Sequence, residues 1–241
     1  MNLASRTVKS RGEEDEIRRL DYIGALMSMP ELSIVEVQKK IAHFGDITSR
    51  MSGFTRTMLF SISPEESNQM AQKISKYETI TDNIELELTE FLLKISKEEM
   101  TTKTSLKIRG FLETCGELER IADIFYQMSK TIERKKSEKL WFNQHQRTEL
   151  HLLFDLIDRA FVLMNKIISV SPPSQENRQL AKDIEMQINT QRDKMRKEST
   201  NNDNQEGFNV YSTLIYTNLF SALERVGDHI ENVTEAMGTI D

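Results

Sequence analysis

Two stretches decide the fold of this chain: "LERIADIFYQM", residues 118–128, and "LERVGDHIENV", residues 223–233. Each carries Glu and Asp four residues apart. At about 3.6 residues per turn, positions i and i+4 stack on one helix face. Glu119 therefore lies beside Asp123, and Glu224 beside Asp228. Like charges at this spacing mildly destabilise a helix. A chain that repeats the pairing implies something that neutralises it. Phe111, Leu118, Ala122 and Phe125 mark the buried stripe around the first copy, and Leu223, Gly227 and Ile230 mark it around the second. Gly227 costs about 1 kcal/mol relative to Ala inside a helix. Its place on the stripe predicts close approach by another helix.

Outward from these phrases, the chain reads as helix almost throughout. Only 9 Gly and 4 Pro interrupt 241 residues, and Glu, Lys, Leu and Ile are abundant. Breakers fall around Pro30, Pro64, Thr101, Pro172–Pro173 and Gly207. Ser63-Pro64-Glu65-Glu66 is a helix start, with a cap, a proline at the first position and acids at the positive end of the dipole. Between the breakers lie helical segments at Ser33–Phe60, Pro64–Lys97, Lys103–Arg134, Glu138–Val170, Ser174–Glu198 and Phe208–Met237. Met70, Ile74, Tyr77, Thr81, Ile84, Leu88, Phe91 and Ile95 form a stripe stepping by three and four. One phrase in the third segment and again in the sixth implies an internal duplication. The expected fold is all-α: two tandem antiparallel three-helix bundles at 30–136 and 137–241, after a linker and short helix at 1–29. One continuous core and two touching bundles both fit this pattern.

The net charge of -6 argues against nucleic acid as the main partner, since a phosphate backbone asks for a basic face. It suits cations or a basic protein surface. Cys115 is the single cysteine and falls on the apolar stripe, so an intrachain disulfide is impossible and an inert core thiol is expected. The N-terminus lacks the apolar core of a signal peptide. The most apolar run, residues 151–170, is broken by Asp155, Asp158, Arg159 and Lys166, so no membrane span is expected. These features together predict a cytoplasmic protein.

The second segment offers another stacked pair, Glu78 and Asp82. If the second and third helices pack side by side, four carboxylates face one groove. Such oxygen-rich sets suit hard or borderline divalent and trivalent cations. The second half offers Glu185 with Asn189, and Asp193 one turn on, opposite Glu224 and Asp228. Asn189 lowers the negative charge there, so a second site should be weaker. The competing reading is a set of solvated helix flanks, or an adaptor whose acids meet a basic partner. A ferritin-like di-iron centre needs Glu-x-x-His, and none of His43, His145, His151 or His229 stands in that motif. His229 points off the Glu224–Asp228 line. No Gly-rich phosphate loop, activated nucleophile or zinc spacing is present, so no enzyme activity is expected.

The phrases "LERIAD" and "LERVGDHIENVTE" resemble the Glu-x-x-x-Asp motifs of PhoU proteins. The second copy is the closer match; the first has Ala122 for the usual Gly and Ile124 where His is common. "TDNIELELTEFLLKIS", from Thr81, is similar to the family's second-helix segment. The resemblance implies tandem three-helix bundles that regulate phosphate uptake and carry metal clusters on their acidic motifs. It puts Glu78, Asp82, Glu119, Asp123, Glu185, Asp193, Glu224 and Asp228 forward as metal ligands, with iron, zinc, magnesium and manganese as candidate ions. The leading "RRLDYIGALMSMPELSIVEVQKKIAHFGDITSRM" resembles the join between the membrane part and the PhoU-like tail of bacterial sodium/phosphate cotransporters, although Ile34 stands where a small residue is usual. On that likeness Arg11–Arg19 is a linker, and the chain is a soluble tail at the inner face of the cell membrane. The alternative is a free-standing PhoU-like regulator. Implied partners are a phosphate transporter's membrane domain or another phosphate-signalling protein, with a homodimer also open.

Overall fold

The computed structural model describes residues 30–170, 172–201 and 209–238. The expected short helix within 1–29 lies outside these residues. Six helices follow in order: α1 (Pro30–Phe60), α2 (Pro64–Ile95), α3 (Thr102–Ser137), α4 (Gln144–Val170), α5 (Gln175–Asn201) and α6 (Val210–Gly238). No strand occurs among the described residues. The all-α expectation holds.

Local chemistry sets the helix ends. Ser63 accepts the Glu66 amide at the start of α2, with Pro64 in the first turn. Thr101 caps α3 through the Thr104 amide. Asn209 Oδ1 accepts from the Tyr211 and Ser212 amides at the start of α6. The expected fourth helix from Glu138 begins later, at Gln144. Lys139 takes a left-handed backbone, φ 52°. Leu140 N–H then bonds back to the Lys135 carbonyl at 2.9 Å, and Lys139 N–H to that of Lys136 at 3.1 Å. This is a Schellman ending built on a lysine rather than the usual glycine. Asn143 and Gln146 next exchange side-chain-to-backbone bonds of 2.8 and 3.0 Å, a capping box that restarts the chain as α4.

α1, α2 and α3 pack on one another, as do α4, α5 and α6. The halves meet through α1 against α4 and α3 against α6, leaving α2 and α5 outermost. One hydrophobic cluster runs through all six helices, from Phe44 and Phe111 to Phe154 and Phe220. The question left open by the periodicity is thereby answered as a continuous core. Phe125 of α3 stacks on Phe161 of α4, with ring centroids 6.1 Å apart. Gly227 makes the expected close approach: a Cβ there would lie 3.0 and 3.1 Å from Ile188 side-chain carbons of α5.

Polar links also cross between halves. Arg56 reaches Asp155 at 2.7 Å and Asp158 at 3.1 Å. Glu117 of α3, only 6% exposed, accepts from His229 Nδ1 and Asn232 Nδ2 of α6, each at 2.8 Å. Burial alone would raise the Glu117 carboxyl, but the His229 and Asn232 bonds win and hold it below the ordinary glutamate range.

Candidate functional site

The heptad-like stripe of α2 buries Ile74, Tyr77, Thr81 and Leu88 against α1 and α3. Glu78, Asp82 and Glu85 are carried on the edge of that stripe. α3 buries Leu118, Ala122 and Phe125, which places Glu119 and Asp123 at the facing edge. The packing brings carboxylate oxygens of Glu78, Asp82 and Asp123 within 4.8 Å of one another. Two oxygens bound to one cation at about 2.0–2.6 Å lie at most about 4–5 Å apart. The donor set and its spacing therefore fit a hard or borderline cation, with open positions for water, since Asp82 and Asp123 are exposed.

Electrostatics mark the same groove. Burial, then repulsion from Asp82, raises the Glu78 carboxyl, a shift that the Thr79 hydroxyl reduces and Asp123 reinforces. Burial, then Asp123 and Glu85, raises Asp82. Glu119 is raised by burial, then by Asp123, Asp82 and Glu85. Glu119 thus adjoins the triad without entering the 4.8 Å set. Arg120 offsets it weakly, but Arg120 is engaged with Glu117. No Lys or Arg forms an ion pair with Glu78, Asp82 or Asp123 among the described residues. Glu85 was not among the sequence candidates. Its signal was present, three residues after Asp82 and seven after Glu78 on one helix line.

The corresponding groove of the second half is built differently. Arg192 of α5 pairs with Glu224 of α6, and both side chains are largely buried, 16% and 15% exposed. The Arg192 Nη2 also lies 3.4 Å from Asn189 Oδ1, and Asn189 donates to Glu185. Arg192 Nε approaches Asp193, which is 65% exposed, at 2.8 Å. A guanidinium thus stands beside Glu224, whereas among the described residues no Lys or Arg pairs with Glu78, Asp82 or Asp123 of the first groove. Burial, then Asp228, still keeps Glu224 above the ordinary range despite Arg192, Arg196 and Arg225. The ion pair with Arg192 favours the charged form of Glu224, while burial and Asp228 oppose it. Glu185 and Asp228 border a further acid, Glu231, which burial and then Glu185 and Glu235 raise. Among the described residues, the second half forms no close group of three carboxylates like that of the first. Arg192 was missed in the sequence, although it falls seven residues after Glu185 and three after Asn189.

Residues 41–132 match the family model of the PhoU domain, and they contain every acid of the first groove. That stretch is PhoU-like. The six-helix fold also resembles two solved structures. One is the phosphate transport system regulatory protein PhoU from Streptococcus pneumoniae, with a TM-score of 0.72, 16% identity, and 88% of this chain and 96% of that chain covered. The other is PhoU from Pseudomonas aeruginosa, with a TM-score of 0.76, 13% identity, and 85% and 95% covered. At such identity the likeness is one of fold. Among curated proteins, none matches this sequence.

Proposed function

We propose that this protein is a PhoU-type, non-enzymatic regulator of phosphate transport whose first groove binds a divalent or trivalent cation. The observation that carries the metal reading is the convergence of Glu78, Asp82 and Asp123 with no basic ion-pair partner among the described residues. Glu119 and Glu85 add negative field, and a bound cation would supply the missing counter-charge. The second groove already holds a guanidinium beside Glu224, so its acids, Glu185 and Asp228 included, make a weaker claim on metal, and Asp193 the weakest. The fold neighbours, both PhoU proteins by name, favour a free-standing regulator over a cotransporter tail. The tail reading rests on the leading stretch alone. No helix among the described residues is long and apolar enough to cross a membrane. Partners on this reading are phosphate-signalling or transporter proteins at the cytoplasmic face.

The test is metal content and melting. Protein purified without chelator is analysed for iron, zinc, manganese and magnesium, then melted with EDTA and with each ion restored. Stabilisation by linkage is expected, fading as pH falls because only deprotonated carboxylates bind metal. Asp123→Asn should lower metal content with helicity intact. In cells lacking the gene, the wild-type chain should restore control of phosphate uptake and Asp123→Asn should restore it less well. Identical melting of stripped and loaded protein would leave the acids as solvated flanks, and an adaptor that meets a basic partner would be the better account.

A further inference from the structure

A cavity of about 630 Å³ opens where the end of α1, the start of α2 and the α3–α4 connection meet. It lies about 18 Å along α3 from Asp123, twelve residues at about 1.5 Å each, so it is separate from the acidic groove. Its walls combine rings with positive charge: Phe60, Trp141 and Phe142 with Lys135, Lys136 and Arg147. Lys136 is engaged, donating to the Ser61 carbonyl at 3.0 Å. Lys135 is not. It is 9% exposed, and its ammonium meets only ring faces, 4.6 Å from the Phe142 centroid and 6.0 Å from that of Trp141. It has no hydrogen bond or ion pair with any described residue. Among the described residues of the wall the single acid is Glu133, which pairs with Lys130 at 3.3 Å.

A buried ammonium without a counter-charge is costly unless something anionic completes it. Burial, then Lys136 and Arg147, brings Lys135 down to about 8, so it still carries its charge at neutral pH. The Schellman ending explains how it is held. Lys135 supplies the carbonyl that Leu140 N–H returns to, which fixes the backbone on both sides of the cavity. The connection that follows this turn places Trp141, 75% exposed, on the cavity wall. A ligand that satisfies both features has an anionic group and a flat aromatic ring. The volume lies within the range of about 300–1,000 Å³ usual for small-molecule sites.

We propose that this cavity binds a nucleotide, its phosphate beside Lys135 and Arg147 and its base against Trp141. This goes beyond the regulator reading and does not depend on the metal.

Trp141 is the single tryptophan of the chain, so its fluorescence reports on the cavity. The full chain is titrated with AMP, GMP, CMP and UMP, with the matching nucleosides, and with inorganic phosphate, and calorimetry is run in parallel. The expected result is saturable quenching by at least one nucleotide, with affinity at least tenfold above both its nucleoside and phosphate. Lys135→Met should weaken that nucleotide at least tenfold while still melting cooperatively, and Arg147→Gln should weaken it independently. The proposal falls if no nucleotide saturates by millimolar concentration. It falls if inorganic phosphate binds as tightly as the nucleotide, which would make this a plain anion site. Binding unaltered by both variants would also overturn it.

Discussion

Arg192→Gln probes whether the second groove carries its own counter-charge. Arg192 and Glu224 are 16% and 15% exposed, so the pair is mostly removed from water. Breaking a fully buried pair from one side costs about 3–5 kcal/mol. Residual solvent contact, and the amide that Gln still offers, reduce this to about 2–3 kcal/mol at neutral pH. For a chain of this size each kcal/mol moves the melting temperature by about 2–4 °C, so a fall of about 4–12 °C is expected. The pH dependence identifies the cause. Glu224 already titrates above its ordinary value of 4.5, through burial and then Asp228. Loss of Arg192 pushes it higher. A carboxyl raised in the folded state costs stability at pH above both its values, and that cost disappears as pH falls below the unfolded one. The gap between parent and variant should therefore narrow between pH 7 and pH 4. Calorimetric melts at both pH values, in chelator, measure it. In an Asp123→Asn background, added manganese should restore part of the loss only when Arg192 is also replaced. A variant that melts within 1 °C of its parent at neutral pH would refute the counter-charge argument. An equal loss at pH 4 would show that Arg192 acts by packing alone.

Glu117→Ala leaves the His229 and Asn232 donors of α6 without their acceptor on α3. It should cost about 2–4 kcal/mol by denaturant titration. Because the folded Glu117 value is lowered, its contribution is present above the unfolded value of 4.5 and is lost as pH falls through the folded one, so the difference should close in acid. Lys135→Met should have the opposite sign and stabilise the protein by about 1–3 kcal/mol at pH 7, discounted for the opening of the cavity to solvent. Its folded value of about 8 lies below the ordinary lysine value of 10.5. The parent should therefore gain stability between those pH values as Lys135 loses its proton, and the advantage of the variant should vanish by the upper one. Melting curves from pH 7 to 10.5 decide this.

Much of the candidate site was legible because it rests on one period. Glu119 with Asp123, and Glu78 with Asp82, share faces whatever the rest of the chain does, since helix geometry alone stacks i on i+4. The neighbouring stripe of Ile74, Tyr77 and Leu88 says which way α2 must turn, and so which edge its acids occupy. Glu85 extends the same line and was readable on the same grounds. Other residues resisted the reading. Glu117 looks like any helical acid, and only the docking of α6 on α3 reveals it as a buried acceptor. The end of α3 was misplaced because Lys139 adopts a left-handed backbone that its side chain does not advertise.

The helices, their buried faces and the repeated acidic phrases are written in the order of residues alone, because they follow from local periodicity and capping. Which charges are compensated emerges only from helix packing. Whether a carboxylate faces another carboxylate or a guanidinium depends on the rotation and register of two packed helices, which no single helix encodes. That is why the first groove gathers Glu78, Asp82 and Asp123 while the second, drawn from nearly the same phrase, closes on Arg192. It is also why Lys135, an ordinary lysine near a helix end in the sequence, becomes a buried cation beside an aromatic cavity once α1, α2 and the α3–α4 connection converge around it.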